Sequence, residues 1–174
     1  MSKMIPLCFA ALLSVAAPAF AAGDGGGSGS SPAEQDCKKG EVWNKAKKKC
    51  VKASSGLVTD EELYQQGRAL AKQGRYEWAL DVLGAIKNQN DPRVLNYTGY
   101  SHRKAGRLDI GIGYYRRALE IDPDFVLARE YLGEGYVAAG RIDLAMAELG
   151  EIANRCGKDC AENKDLAETI AAAN

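Results

Sequence analysis

From Thr59 onward the apolar positions recur at spacings of three and four residues, the period of an amphipathic helix and not the two-residue alternation of a strand. The segment Pro92–Pro123 shows it most clearly. Leu95, Thr98, His102 and Ala105 fall on one stripe, and Leu108, Ile112, Tyr115, Ala118, Leu119 and Ile121 fall on a second. Between them Lys104-Ala105-Gly106-Arg107 reads as a tight turn, with Gly106 supplying the left-handed residue that ends the first helix. Asp91 and Asp122 each precede a proline, the N-cap and first-turn pattern that starts a helix. Thr59-Asp60-Glu61-Glu62 reads as a capping box. The pattern predicts helices over 60–73, 76–88, 92–105, 108–121, 124–139 and 142–155. A last helix, 161–172, carries Leu166, Ala167 and Ile170 on one side. One helical hairpin cannot bury both of its apolar stripes alone, so these pairs must pack on each other.

The pairs also repeat. Gly67 to Gly74 recurs as Gly99 to Gly106 after 32 residues, and as Gly133 to Gly140 after a further 34. Ala79, Gly111 and Ala145 keep the same phase, as do Arg75, Arg107 and Arg141. The third copy has Leu132-Gly133, Tyr136, Gly140 and Ala145. The second keeps Gly99, Gly106, Tyr115, Ala118 and Pro123, with Thr98 and His102 where Leu and Tyr are usual. The first keeps Gly67, Gly74 and Ala79 and lacks the closing proline. A helix-turn-helix of this period resembles the tetratricopeptide repeat. The resemblance implies an all-α solenoid of three repeats over 59–159, at about 60–91, 92–125 and 126–159, with 160–174 as a capping helix. It also implies a scaffold that binds a protein or peptide partner. In such stacks the first helix of each pair lines the concave side. That row would be Tyr64, Asn96 and Glu130, then Arg68, Tyr100 and Glu134, then Lys72, Lys104 and Ala138, with Arg103 and Val137 beside it. The groove would run from basic to acidic with tyrosines between. The family's basic clamp for a chain-terminal carboxylate does not carry over, because its asparagines are not at the expected places.

Before the repeats, residues 1–21 read as a signal peptide: Lys3, an apolar run from Ile5 to Ala17, and Ala19-Phe20-Ala21 as a cleavage site. The run is shorter than the ~20 residues needed to span a bilayer, so the mature chain is expected to be periplasmic or secreted and not membrane-spanning. Residues 22–36 form a Gly/Ser-rich linker with almost nothing apolar to bury. Residues 37–53 read as a small separate unit, in which Glu41-Val42-Trp43 and Lys49-Cys50-Val51 pair as strands around Asn44–Lys47. A lone hairpin is marginal in water. A Cys37–Cys50 disulfide would staple it, at about 3 kcal/mol in the chain-entropy model. Seven lysines between Lys38 and Lys52 make the unit basic, a solvated face or one drawn to an anionic envelope polymer. Its cysteines and Trp43 also resemble the central hairpin of small chitin-binding modules, which implies sugar binding.

Charge narrows the function. Lys and Arg number 23, as do Asp and Glu, which argues against a nucleic-acid role. Four cysteines lie beyond the signal peptide, an even set, so Cys156 and Cys160 in CGKDC are expected to pair as well. A reactive dithiol there, exchanging disulfides or binding copper, is the weaker reading. His102 aligns with Leu70 and Tyr136, which are packing positions, and no nucleophile arrangement surrounds it. No catalytic residue, metal site or cofactor is expected. The leading expectation is an exported scaffold holding a partner peptide or subunit in the repeat groove. The alternative is an envelope-surface binder that uses the lysine-rich hairpin, with the repeats as spacer.

Overall fold

A computed structural model describes residues 37–173. An antiparallel hairpin of β1 (Glu41–Asn44) and β2 (Lys49–Lys52) leads through a 3-10 turn, Ala53–Ser55, into seven helices. These are α1 (Asp60–Lys72), α2 (Tyr76–Leu83), α3 (Pro92–Lys104), α4 (Leu108–Ile121), α5 (Val126–Ala138), α6 (Ile142–Cys156) and α7 (Ala161–Ala172). The signal-peptide and linker assignments lie outside the described residues.

The repeat phase is visible in one turn made three times. Gly74, Gly106 and Gly140 have φ of 79°, 84° and 70°. The amide after each reaches back to the helix it has just left: Arg75 N to Leu70 O at 2.9 Å, Arg107 N to His102 O at 2.9 Å, Arg141 N to Tyr136 O at 2.8 Å. Each glycine amide bonds three residues back, which completes the Schellman arrangement. Within the second repeat the helices touch backbone to backbone. A Cβ placed on Gly111 would lie 2.8 Å from Gly99 O, so the slot filled by alanine in the other repeats is filled here by the smallest residue. Gly113, by contrast, faces open space, and nothing in the structure explains it.

Several expectations are corrected. α2 stops at Leu83, five residues early. Gly84 closes it, and the Gln89 amide donates to Leu83 O (3.1 Å) and Ile86 O (2.6 Å), satisfying carbonyls that a longer helix would have used itself. α5 starts at Val126, not 124. Asp91 does cap α3, accepting from Arg93 N, but Asp122 is no N-cap. Its carboxylate accepts from Asp124 N at 3.1 Å, a local turn that spends Asp122-Pro123 on the connection. Ile121, expected on the buried stripe, is 49% exposed because α4 ends there.

The hairpin is not a separate unit. The strands pair in the expected register, Trp43 opposite Cys50, and Cys37 Sγ is bonded to Cys50 Sγ. The turn is Lys45–Lys48, closed by Lys47 N donating to Asn44 Oδ1 at 2.7 Å. The outer edge of β1 is then taken up by the first repeat. The Gln66 side chain accepts from Trp43 N (2.7 Å) and donates to Trp43 O (3.1 Å), and Trp78 Nε1 donates to Glu41 O at 2.9 Å. Val42, Val51 and Ala53 share one apolar core with Leu63, Leu70, Trp78 and Val82. The amphipathic stripe of α1 and α2 needed cover at the start of the array, and the hairpin supplies it. A second core joins Ile112 and Tyr115 to Leu132, Ile152, Leu166 and Ile170, so α7 covers the other end.

Candidate functional site

α1, α3 and α5, the first helices of the three pairs, lie side by side and present one common face. The Lys72 ammonium leaves the last turn of α1, crosses α3 and donates to the Tyr131 hydroxyl of α5 at 2.5 Å. A side chain can bridge helices two apart only if their faces lean toward each other, so this face is concave. Lys72 Nζ sits 4.9 Å from the Tyr100 ring centre, 5.1 Å from Tyr131 and 5.9 Å from Tyr97, three π faces around one cation. The rings contact one another at 5.2–6.4 Å. Arg68 Nε donates to Tyr97 OH at 2.9 Å. Burial first, and then neighbouring phenols and Glu130, push the Tyr131 hydroxyl well above its usual range, so it stays protonated.

The expected groove residues separate into two layers. Arg68 and Lys72 are exposed and Tyr100 is half-buried. Tyr64 is 8% exposed, Glu130 5% and Asn96 not at all, so this row forms the floor and not the rim. Asn96 is buried, and neither of its side-chain polar atoms is hydrogen-bonded among the described residues. Arg103, expected as a surface anchor, is instead nearly enclosed, with 8% of its side chain exposed. It pairs with Glu134 and donates to Tyr115 OH at 3.2 Å. The helical period places it on the right side of α3. What the period does not show is that Gly135 and Gly111 leave room for its stem to lie flat between helices: a Cβ at Gly135 would meet Arg103 Cδ at 3.6 Å, and one at Gly111 would meet Arg103 Cβ at 2.9 Å.

The third-repeat end of the face is acidic. Glu130 and Glu134 from α5 meet Glu162 and Asp165 from α7 in one field. Burial, then those three carboxylates, push Glu130 up to about 7, and Lys72 pulls the other way. Glu162 and Asp165 escaped the sequence reading because nothing in the repeat period says on which face the capping helix lands.

His102 is where the packing alignment puts it. Its ring stacks on Tyr114 at 5.5 Å, and Nδ1 accepts from Arg107 Nε at 2.8 Å. Burial, then the Arg107 charge, lower its pKa. Trp43 packs against the first core and does not stand free as a sugar platform. Cys156 Sγ is bonded to Cys160 Sγ, with a Glu162 carboxylate oxygen nearby; these are the only three potential metal-ligating groups found together among the described residues, and the sulfurs are bonded to each other.

The comparisons agree with the fold. The family model described as tetratricopeptide repeat matches residues 64–124 and, one repeat on, 98–159. A solved structure titled as the first TPR of Spaghetti (RPAP3) bound to the HSP90 peptide SRMEEVD superposes with a TM-score of 0.58 at 15% identity, covering 66% of this chain and 92% of that one. A MamA RS-1 ArsTM double mutant gives 0.51 at 24% identity, and the match spans 55% of each chain. Identities this low speak to the fold alone. No curated protein sequence matches the chain.

Proposed function

The chain belongs to the tetratricopeptide-repeat family, and on that premise we propose that it is a protein-interaction scaffold that takes a partner's peptide segment on the concave face of α1, α3 and α5. The observation that carries this is the tyrosine-lined floor. Half-buried Tyr100 presents flat apolar area with a polar tip, backed by the buried rings of Tyr64, Tyr97 and Tyr131, along a face whose neighbours are cations and carboxylates, the composition of a peptide-binding surface. The RPAP3 relative, which holds a peptide, supports the class of partner. The chain acts by holding and not by catalysis. His102 is engaged by Tyr114 and Arg107, which fits a packing role.

The proposed location is outside the cytoplasm. The N-terminal sequence pattern supports it, as do two disulfides, which persist in oxidising compartments. Intact-mass measurement of the native protein is expected to show a chain that starts at Ala22. Retention of Met1 or Ser2 would overturn the location and leave the scaffold reading untouched.

The scaffold reading is tested by placing a photo-crosslinking amino acid at Arg68 on the concave face, or at Ile110, exposed on α4, and mapping what each captures in an envelope extract. Crosslinks to a defined peptide segment are expected from position 68 and not from position 110. Capture from position 110 alone would move the interface to the opposite side and end this proposal.

A further inference from the structure

We infer that the third-repeat end of the concave face receives a cationic side chain, lysine or arginine, from the partner segment, with the Glu130 carboxylate as its counter-ion and the tyrosine floor as its wall. The inference rests on the groove reading above and gives the partner's chemistry.

Three observations converge on it. Glu130 is only 5% exposed, and its carboxylate makes no hydrogen bond or ion pair among the described residues. Buried carboxylates are ordinarily paired, since an isolated one is costly. Glu134, on the next turn, shows the ordinary case, with Arg103 as its partner. Second, three carboxylates act on Glu130 with its own sign, Glu134 on α5 and Glu162 and Asp165 on α7. Lys72, the cation that pulls the other way, gives its hydrogen bond to Tyr131. Third, that same Lys72 shows what the floor accepts. An ammonium already lies among three tyrosine rings, and the rings continue to Tyr131, the residue beside Glu130. A floor that holds one ammonium, next to a carboxylate without a partner in a field of three more, is complementary to a second ammonium or guanidinium.

Protons follow. Glu130 holds a proton near neutral pH, because burial and the Glu134, Asp165 and Glu162 carboxylates raise its pKa to about 7. A cation seated beside it favours the ionised form. Affinity for a cationic segment should therefore rise between pH 6 and 8 as the proton leaves. The charged groups around Glu130 are Lys72 on α1, Glu134 on α5 with its partner Arg103 on α3, and Glu162 and Asp165 on α7.

The probes are two fluorescein-labelled peptides on the full chain, read by anisotropy: SRMEEVD, the acidic segment held by the RPAP3 relative, and SRMKKVK with an amidated end. The cationic peptide is expected to bind at least about tenfold more tightly, to lose about tenfold in Glu130→Gln, and to lose its pH dependence there. Asp165→Asn should cause a smaller loss in the same direction. Glu168→Gln, on the exposed side of α7, removes the same charge elsewhere and should leave affinity unchanged. Equal losses in Glu130→Gln and Glu168→Gln would reduce the effect to net charge and overturn the inference. So would equal binding of the two peptides. Tyr100→Leu separates the two levels: if it weakens both peptides while Glu130→Gln weakens neither, the groove stands and the cation site falls, and if it weakens neither, both fall. A second copy of the chain, offering Lys45, Lys47 and Lys48 from its hairpin turn, is the competing occupant. Concentration-dependent self-association in ultracentrifugation, abolished by Glu130→Gln, would assign the site to it and overturn a separate partner.

Discussion

Arg103 shows how far a side chain's surroundings can depart from its place on a helical wheel. The period of α3 puts it at a solvent-facing position, where truncation shifts stability by only about 0.5 kcal/mol. The glycines beside it let the guanidinium lie between helices, paired with Glu134 and bonded to Tyr115. Arg103→Ala should therefore cost about 2–3 kcal/mol in urea unfolding, because it leaves Glu134 without its partner in a setting 20% exposed. A change within 0.5 kcal/mol would return Arg103 to the binding surface. Glu130 behaves oppositely. Its folded pKa, about 7, lies above the usual 4.5, so the folded state holds its proton more tightly than the unfolded chain does. Its contribution is complete below pH 4.5 and is lost as pH rises through 7. Glu130→Gln should then be as stable as the parent at pH 4 and more stable than it at pH 8, by up to roughly 3 kcal/mol. A parent whose melting temperature is as flat as the variant's across that range would show that the carboxylate is paired in solution.

Among the elements, the helical ones were legible because the period of three and four, the capping threonine and the turn glycines all point the same way. The Schellman turns at Gly74, Gly106 and Gly140 fall where the repeat phase put them. Misplaced boundaries trace to side chains acting on backbone: Gln89 ending α2, Asp122 forming a turn before α5. The groove was half legible. Spacing fixed which residues share a face, but not that Tyr64, Asn96 and Glu130 form its buried floor, nor that α7 adds Glu162 and Asp165 to it. The hairpin misled for a different reason. Flanking Gly and Ser and a stapling disulfide describe an autonomous unit, and nothing in the spacing of Gln66 or Trp78 announces that their side chains bind a strand edge. Deleting residues 22–56 removes Val42, Val51 and Ala53 from the first core and leaves Leu63 and Trp78 facing water. At about 1.5–3 kcal/mol per large apolar side chain, the helical transition should fall by 10 °C or so. An unchanged transition would restore the hairpin to independence. Gly111→Ala is a sharper probe of the second repeat, where overpacking against Gly99 O should cost about 1–3 kcal/mol.

At the scale of the whole repeat array, stability is set by what covers its two ends. In a stack each repeat leans on its neighbours, so the outer ones lack half of their contacts unless capped. The hairpin covers α1 and α2 and carries the longer disulfide loop, 13 residues apart against 4 for Cys156–Cys160. In the chain-entropy model these loops are worth about 3 and about 2 kcal/mol, so Cys37→Ser with Cys50→Ser should destabilise more than the other pair. α7 covers the far end, where Leu166 lies so close to Gly133 that an added Cβ would stand 2.5 Å from it. Removing residues 160–174 uncovers Leu132 and Ile152, so amide exchange should accelerate in α5 and α6. If coupling ran only between neighbours, α1 and α2 would keep their protection. Lys72 makes a longer link, since it ties α1 to Tyr131 on α5 across the intervening helix. The truncated chain should therefore also show faster exchange in the last turn of α1, and Lys72→Met should abolish that effect while leaving the loss in α5 and α6 in place. Acceleration confined to α5 and α6 in both chains would mean that the Lys72 bridge spans the groove without coupling its ends.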